Sequence, residues 1–157
     1  YHVDTAKFNF EKYGIPKNQY LFQVGDIHEK ILDLEPNQFD VIFCLGFFYH
    51  TTRQKFLLEQ FKRLNPLYII LDTHISQFPS SEFQYRKESP ESPTAAIGNS
   101  DKIIVSMPTK SMLESMLKDF GFNYEFFNYH DCNINNWLYL ADYYKGGRVT
   151  LTIKCQR

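Results

Sequence analysis

Short apolar runs alternate with amphipathic segments along this chain, and this alternation constrains its fold more than any other feature. Phe39–Leu45 and Leu67–Leu71 are largely apolar and rich in β-branched and aromatic residues, as strands buried on both faces tend to be. Between them, Leu57, Phe61 and Leu64 recur at the spacing of one helical face. Strand and helix alternating across short loops are typical of α/β folds. The pattern therefore predicts an α/β domain with a parallel sheet.

The residues before this unit contribute further predicted elements. Apolar residues in Asp4–Tyr13 recur with helical spacing, and Gly14 follows where a left-handed helix cap forms. Tyr20–Val24 is apolar and aromatic and is predicted as another parallel strand. Ile27–Leu34 has room for one or two helical turns before the next strand.

The second half of the chain changes character twice. Gln77–Asp101 is rich in Ser and Pro and poor in large aliphatic residues, so we interpret it as a lid or insertion. Pro108–Phe120 has a continuous apolar face and is predicted as a helix. Tyr124–Tyr129 and Val149–Ile153 alternate in the manner of strands and are predicted to form an antiparallel pair at the sheet edge.

Composition argues against several classes of function. The 17 basic and 18 acidic residues give a net charge of −1, without the basic surplus that is usual for DNA-binding domains. The longest apolar stretch, within Val41–Tyr49, is far shorter than the roughly 20 residues that span a bilayer. The seven glycines form no GxG or Walker pattern, and the three cysteines have no metal-ligand spacing. We therefore expect a cytoplasmic protein without a membrane span or a metal site.

Polar residues follow the predicted strands where each strand ends. Asp26 follows the first strand, and Asp72 follows the third. Gly46 ends the second strand, with Tyr49 and His50 just beyond it. Ligands of open α/β sheets bind beyond the carboxyl ends of the strands, so we expect these residues to share a site. Structural roles stay open for each of them: a helix N-cap for Asp26, a packed aromatic for Tyr49 and a structural imidazole for His50.

The ordered series of these segments resembles the class I S-adenosylmethionine-dependent methyltransferases. The segments are Gly25-Asp26-Ile27, Phe39 to His50, Leu71-Asp72-Thr73, the helix Pro108–Phe120 and the ending Asp142 to Leu151. The Tyr-His pair resembles the branch that includes the tRNA wobble-uridine 5-oxyacetic-acid methyltransferase. The resemblance implies a Rossmann-like, mostly parallel sheet with helices on both faces and an antiparallel edge pair. It also implies S-adenosylmethionine as the cofactor.

The resemblance assigns cofactor roles to two strand ends. Asp26 and the backbone of Ile27 match the site that holds the adenine, where a carboxylate accepts from the exocyclic amine. Cys44, Leu45 and Gly46 match the strand end that lines the methionine part of the cofactor.

The same resemblance implies residues on the acceptor side. Tyr49 and His50 match a pair that faces the transferred methyl group, and His50 is the candidate base because imidazole titrates near neutral pH. Asp72 occupies a site that is often acidic in the family and is predicted to face the substrate. Arg148 resembles a substrate-binding arginine near the last strand. Simpler readings are a solvated strand-end cap for Asp72 and a surface charge for Arg148.

The family's first strands, its glycine-rich loop and its ribose-binding acid have no counterpart in residues 1–157. We therefore expect this chain to be the later part of a methyltransferase domain, from the third strand onward, with weak cofactor binding by itself. Asp4 is an alternative ribose-binding acid, although its spacing places it inside the predicted helix.

Three functions remain open from sequence. The first is S-adenosylmethionine-dependent methyl transfer to a small-molecule or RNA acceptor. The second is a non-catalytic methyltransferase-like remnant or interaction module. The third is another α/β ligand-binding domain, which would be favoured if Asp26 and Tyr49 did not share a pocket.

Overall fold

The computed structural model describes residues 2–89 and 103–156. The chain divides into two compact units, Tyr1–Leu34 and Glu35–Arg157. The helices are α1 (His2–Lys12), α2 (Ile27–Lys30), α3 (Gln54–Leu64), α4 (Lys110–Asp119) and α5 (Ala141–Tyr144). The strands are β1 (Val41–Leu45), β2 (Tyr68–His74), β3 (Phe83–Glu88), β4 (Ile103–Pro108), β5 (Asn123–Phe126) and β6 (Arg148–Lys154). Across the described residues, no helix has the length and apolar character needed to cross a membrane.

The first unit is built on helix α1. The helix ends as its sequence predicts, with Gly14 in the left-handed region at φ +72°. The prediction of a strand at Tyr20–Val24 is wrong, because this run is extended without strand pairing. The rings of Tyr20 and Phe22 instead pack on Phe10, with centroids 4.9 and 5.0 Å away. An apolar run forms a strand only when a neighbouring strand completes its hydrogen bonds, and none does so here.

The second unit contains a four-stranded sheet in the order β1-β2-β6-β5. Strands β1 and β2 are parallel, with Leu45 opposite Asp72, and α3 forms the crossover between them. Strand β6 is antiparallel to both neighbours, with His74 opposite Arg148 in the β2 pair. The predicted Rossmann-like α/β fold and its antiparallel edge pair are therefore confirmed. Among the described strands, only the β1–β2 pair is parallel.

The core of the second unit lies on one face of this sheet. The predicted apolar face of α3 is buried, and Leu113 and Leu117 of the predicted α4 face are buried as well. The sheet and helix side chains that are at least 96% buried include Ile69, Leu71, Leu151, Ile153, Leu57, Leu58, Phe61, Leu64, Leu113 and Leu117. Helix α5 lies on the opposite side, where its Tyr143 hydroxyl reaches Asp72.

Part of the segment interpreted as a lid is regular structure. Strand β3 lies within 77–101 and pairs with β4 in a separate two-stranded antiparallel sheet, with Glu88 opposite Ile103. Residues 90–101 of that segment lie outside the described residues. The bridge between Ser76 and Thr109 connects the end of β2 to the start of α4.

Candidate functional site

Polar side chains gather where β1 and β2 end and β6 begins. Immediately after β1, the Gly46 amide donates to the Asp72 carbonyl oxygen at 2.9 Å. Asp72 is opposite Thr150 in the β2–β6 ladder, and His74 is opposite Arg148. Directly opposite residues share one face of a sheet, so all four side chains project from the same side. This is the edge at which α/β sheets bind their ligands.

We call Asp72, Tyr143, Arg148 and Thr150 the Asp72 cluster. The Asp72 side chain is buried, and each of its two carboxylate oxygens accepts two hydrogen bonds. Arg148 donates to Oδ1 from Nε, at 2.7 Å, and also from Nη2. Oδ2 accepts from the Tyr143 hydroxyl at 2.8 Å and from the Thr150 hydroxyl at 2.6 Å. The carboxylate therefore has its acceptor positions filled, and the Arg148 guanidinium is held from two of its nitrogens.

The pKa values of the cluster reflect this arrangement. Burial and then the hydrogen bond to the Asp72 carboxylate raise the pKa of Tyr143 to about 12, because both disfavour a phenolate. Burial alone lowers the pKa of Arg148, but the hydrogen bonds and charge of Asp72 outweigh it, so the pKa is raised. Both groups therefore stay protonated as donors at neutral pH.

Gly46 is constrained by the same cluster. Its φ of +70° lies in the left-handed region, and a Cβ added there would lie 3.0 Å from Nη2 of Arg148. Any other residue would be strained at this position and would also press on the guanidinium. The glycine that ends β1 thus leaves room for the arginine of β6.

Tyr49 and His50 lie in a 3-10 helix, Phe48–His50, just beyond Gly46. Phe48 is fully buried and anchors this turn. Tyr49 is buried in a cluster with Val105 and Met107 of β4. Its ring centroid lies 4.0 Å from that of His50.

The Tyr49 ring also touches the histidine that ends β2. The centroid of His74 lies 4.8 Å from that of Tyr49, edge to face. Nδ1 of His74 lies 3.3 Å from the Gly147 carbonyl oxygen, and Nε2 lies 3.3 Å from Nη1 of Arg148. A tautomer with hydrogen on Nδ1 satisfies both contacts, since Nε2 then accepts from the guanidinium. Tyr49 and His50 are thereby connected to the Asp72 cluster.

His50 faces a carboxylate that the sequence did not indicate. Its Nδ1 lies 3.5 Å from Oε2 of Glu88, at the end of β3, and neither atom has a hydrogen-bond partner within the described ranges. The pKa of His50 is lowered, because burial disfavours the imidazolium more than Glu88 favours it. Burial and then the Glu88 charge raise the pKa of Tyr49. The histidine is therefore neutral, and the tyrosine is protonated, at neutral pH.

Gln54, the first residue of α3, fixes this turn to strand β4. Its buried side-chain amide donates to the Thr51 carbonyl oxygen and, at 2.9 Å, to that of Ser106. Because these bonds cross from the turn after His50 to β4, they hold His50 and the β3–β4 hairpin in register. The approach of Glu88 to His50 depends on this register.

The predicted cofactor residues fall in both units. Asp26 caps α2, with Oδ1 accepting from the His28 amide at 2.8 Å and lying 2.8 Å from His28 Nδ1. Ile27 is the first residue of that helix in the first unit. In the second unit, Leu45 is 59% exposed. Cys44 is buried, and burial raises the pKa of its thiol to about 12, so it is no nucleophile at neutral pH.

The second unit brings the strand-end residues Gly46, Tyr49, His50 and Asp72 close to Arg148 at the start of β6. Sequence reasoning missed the side chains of Tyr143, Thr150 and Glu88. Glu88 belongs to the alternating run Phe83–Glu88, whose polar and aromatic alternation was hidden by the Ser- and Pro-rich residues around it. No three His, Cys, Asp or Glu side chains in the described parts of the chain are grouped to hold a metal ion.

The sheet order, the flanking helices and the polar strand ends define a Rossmann-like α/β fold. Among solved structures, the CurJ carbon methyltransferase matches it with a TM-score of 0.52 and 13% identity, over 95% of this chain and 38% of that chain. This chain therefore spans well under half of the length of that enzyme. No family model and no curated protein matches the sequence. The likeness establishes the fold.

Proposed function

We propose that this chain supplies the acceptor side of an S-adenosylmethionine-dependent methyltransferase, with His50 as the general base. The observation that carries the proposal is the buried pair of His50 Nδ1 and Glu88 Oε2, 3.5 Å apart. A neutral imidazole beside a carboxylate can take a proton and be stabilised as an imidazolium. The pair lies next to the strand end at which this fold binds ligands.

The residues at the end of β1 fit part of such a cofactor. Gly46 has no side chain and a positive φ, and Leu45 leaves its side chain exposed, so backbone is accessible at this edge. We propose that Cys44, Leu45 and Gly46 line the methionine part; the adenine role of Asp26 and Ile27, in the first unit, stays a prediction from the resemblance. When bound, S-adenosylmethionine supplies an electrophilic methyl group on a sulfonium.

The other side chains of the second unit then have separate roles in the reaction. His50 removes a proton from the acceptor, and Glu88 stabilises the resulting charge. Tyr49, fixed by β4 and by His74, positions the acceptor beside the base. Because methyl transfer is an in-line displacement, accurate positioning provides much of the rate. Asp72 has its acceptor positions filled, so its proposed role is to hold Arg148 at the edge of the site.

The acceptor is proposed as a small molecule or an RNA. The Tyr-His pair resembles a branch with an RNA-modifying member, whereas the solved structure of similar fold is called a carbon methyltransferase. The proposed base favours a carbon acid or a protonated nitrogen as the acceptor, because each of these must lose a proton. A sulfur or oxygen anion would need no base.

The test measures transfer of labelled methyl from S-adenosylmethionine by the protein as its native gene encodes it. Pooled small metabolites and total RNA serve as separate acceptor fractions. We expect His50→Ala to lower labelling roughly 100-fold or more, in line with the usual contribution of a general base. Cofactor affinity, measured by calorimetry, should stay nearly unchanged. His130→Ala, an exposed histidine in the loop after β5, is the matched control.

Two results would count against the proposal. Equal loss of labelling and cofactor affinity in His50→Ala would remove the base assignment. A wild-type protein that neither binds S-adenosylmethionine nor transfers label would favour the second candidate function, a non-catalytic interaction module with this fold. The observation that favours this second candidate is that the given sequence contains no GxG pattern.

A further inference from the structure

The β3–β4 hairpin presents one face to the base. Directly opposite residues of an antiparallel pair share a face, so Arg86 shares one with Val105, and Gln84 shares one with Met107. Glu88 is two residues beyond Arg86 and therefore lies on the same face. Val105 and Met107 are buried with Tyr49, and Glu88 reaches His50. The face that carries Arg86 is thus the one that covers Tyr49 and His50.

On this face, the Arg86 guanidinium has no charged partner among the described residues. Its Nη2 donates to Oε1 of Gln84 at 2.9 Å, so the guanidinium leans along the strand away from Glu88. In the part of the chain that the structure describes, no carboxylate pairs with Arg86. Arg148 differs, because its guanidinium is bound to Asp72 from two nitrogens. Of these two arginines, Arg86 is the one whose guanidinium has no carboxylate partner among the described residues.

The position of Arg86 sets its distance from the chemistry. Its Cα is about 7 Å from that of Glu88, at two residues of strand. Arg86 is exposed, whereas the His50 side chain is only 7% exposed, so the guanidinium lies further out than the base.

We propose that Arg86 binds an anionic group of the acceptor, a carboxylate or a phosphate, at the end remote from the reacting atom. The planar guanidinium suits both anions, since it donates two parallel hydrogen bonds. Gln84 holds the guanidinium in place before the ligand arrives. This inference rests on the proposed function and names the substrate class of the same site. It makes Arg86, rather than Arg148, the residue that selects the acceptor by charge.

The test titrates inorganic phosphate, and separately acetate, into the nitrogen-15-labelled full chain at constant ionic strength, which keeps general screening fixed. The signal is the Nε–Hε resonance of Arg86, identified by its absence in Arg86→Gln. We expect a saturable shift of this resonance. In Arg86→Gln, which lacks it, the backbone amide shifts of β3 should report an affinity weakened roughly tenfold or more, because charge-assisted hydrogen bonds are the strong ones. Arg63→Gln is the matched control, since Nε of Arg63 also donates to a glutamine, Gln60, at 2.7 Å.

Saturation by phosphate alone would identify a phosphoryl group on the acceptor, and saturation by acetate alone a carboxylate. A shift of Arg86 that grows linearly with either anion, or matches that of Arg63, would overturn the inference. The measurement involves neither cofactor nor methyl transfer. Its failure is therefore distinguishable from failure of the proposed function.

Discussion

Two polar groups at the same edge of the sheet are built in opposite ways. In the Asp72 cluster, each carboxylate oxygen accepts two hydrogen bonds. In the pair of His50 and Glu88, the facing atoms are 3.5 Å apart and lack hydrogen-bond partners within the described residues. Buried polar atoms are nearly always paired in folded proteins, so the second arrangement calls for an explanation that the first does not.

This difference indicates that the Asp72 cluster is structural and that the pair of His50 and Glu88 is reactive. A fully paired carboxylate fixes the positions of the side chains that donate to it. Burial lowers the pKa of His50, so its imidazole is neutral at neutral pH and has a lone pair that can accept a proton from a substrate. We therefore expect changes to the Asp72 cluster to act on stability, and changes to the His50–Glu88 pair to act on titration and turnover.

The largest expected effect is that of Asp72→Ala. It leaves the Arg148 guanidinium, whose side chain is 23% exposed, without its counter-charge. Breaking a buried pair in this way costs about 3–5 kcal/mol, and the partial exposure places this case near the lower end. Urea unfolding of the two proteins measures the difference. The double variant Asp72→Ala/Arg148→Met should recover part of the loss, and no recovery would mean that the charge of Arg148 is not the cause.

Gly46→Ala should come second. A non-glycine residue at φ +70° costs roughly 1–2 kcal/mol, and its Cβ would also press on Arg148. Gly14→Ala is the matched control, with φ +72° but no atom within 4 Å of the added Cβ. We expect Gly46→Ala to exceed Gly14→Ala in thermal destabilisation. Equal shifts in melting temperature would show that the contact with Arg148 has no energetic effect.

Tyr143→Phe should have a smaller effect, since it removes one of four donors to Asp72. Loss of a hydrogen bond to a charged group costs about 1.5–3 kcal/mol when the acceptor is buried, and the three remaining donors limit the loss here to about 1.5 kcal/mol. Tyr144→Phe, an exposed neighbour, is the control. Denaturant titration that gives the same loss for both variants would contradict a special role for Tyr143.

Whether the sequence predicted a feature depends on how far apart in sequence the contacting residues lie. The α3 face of Leu57, Phe61 and Leu64 follows from spacing alone, and the structure buries all three. The meeting of Asp72 with the strand-end residues Gly46 and Tyr49 follows from a rule about sheet edges. Local periodicity and topology rules therefore predicted the framework and the grouping of these strand-end residues.

The failures concern contacts between residues far apart in sequence. Tyr20–Val24 has the composition of a strand, but a strand needs a neighbour, which composition does not provide. Glu88 is 38 positions from His50, so nothing local to either residue indicates their pairing. The four donors to Asp72 likewise come from two residues of β6 and one of α5. Such contacts depend on register, which the sequence alone does not specify.

We expect Glu88→Gln to have the smallest effect on stability and the clearest effect on the pKa of His50. The Glu88 charge raises the pKa of His50 against the larger effect of burial, so its removal should lower that pKa further. Because Oε2 of Glu88 lacks a hydrogen bond within the described ranges, stability at neutral pH should change by about 0.5 kcal/mol or less. Glu125→Gln, an exposed glutamate on β5, is the control.

The sign of the pH effect follows from linkage. The folded pKa of His50 lies below the unfolded value near 6.5, so the unfolded state takes up its proton first as the pH falls. The free energy of unfolding should therefore decrease as the pH falls through 6.5, and should level off below the folded pKa. Glu88→Gln should extend this decrease to lower pH, whereas Glu125→Gln should leave it unchanged. If a proton NMR titration gave a higher pKa of His50 in Glu88→Gln than in the unmodified protein, the Glu88 carboxylate would not act on the imidazole. Glu88 would then not be the partner of the proposed base.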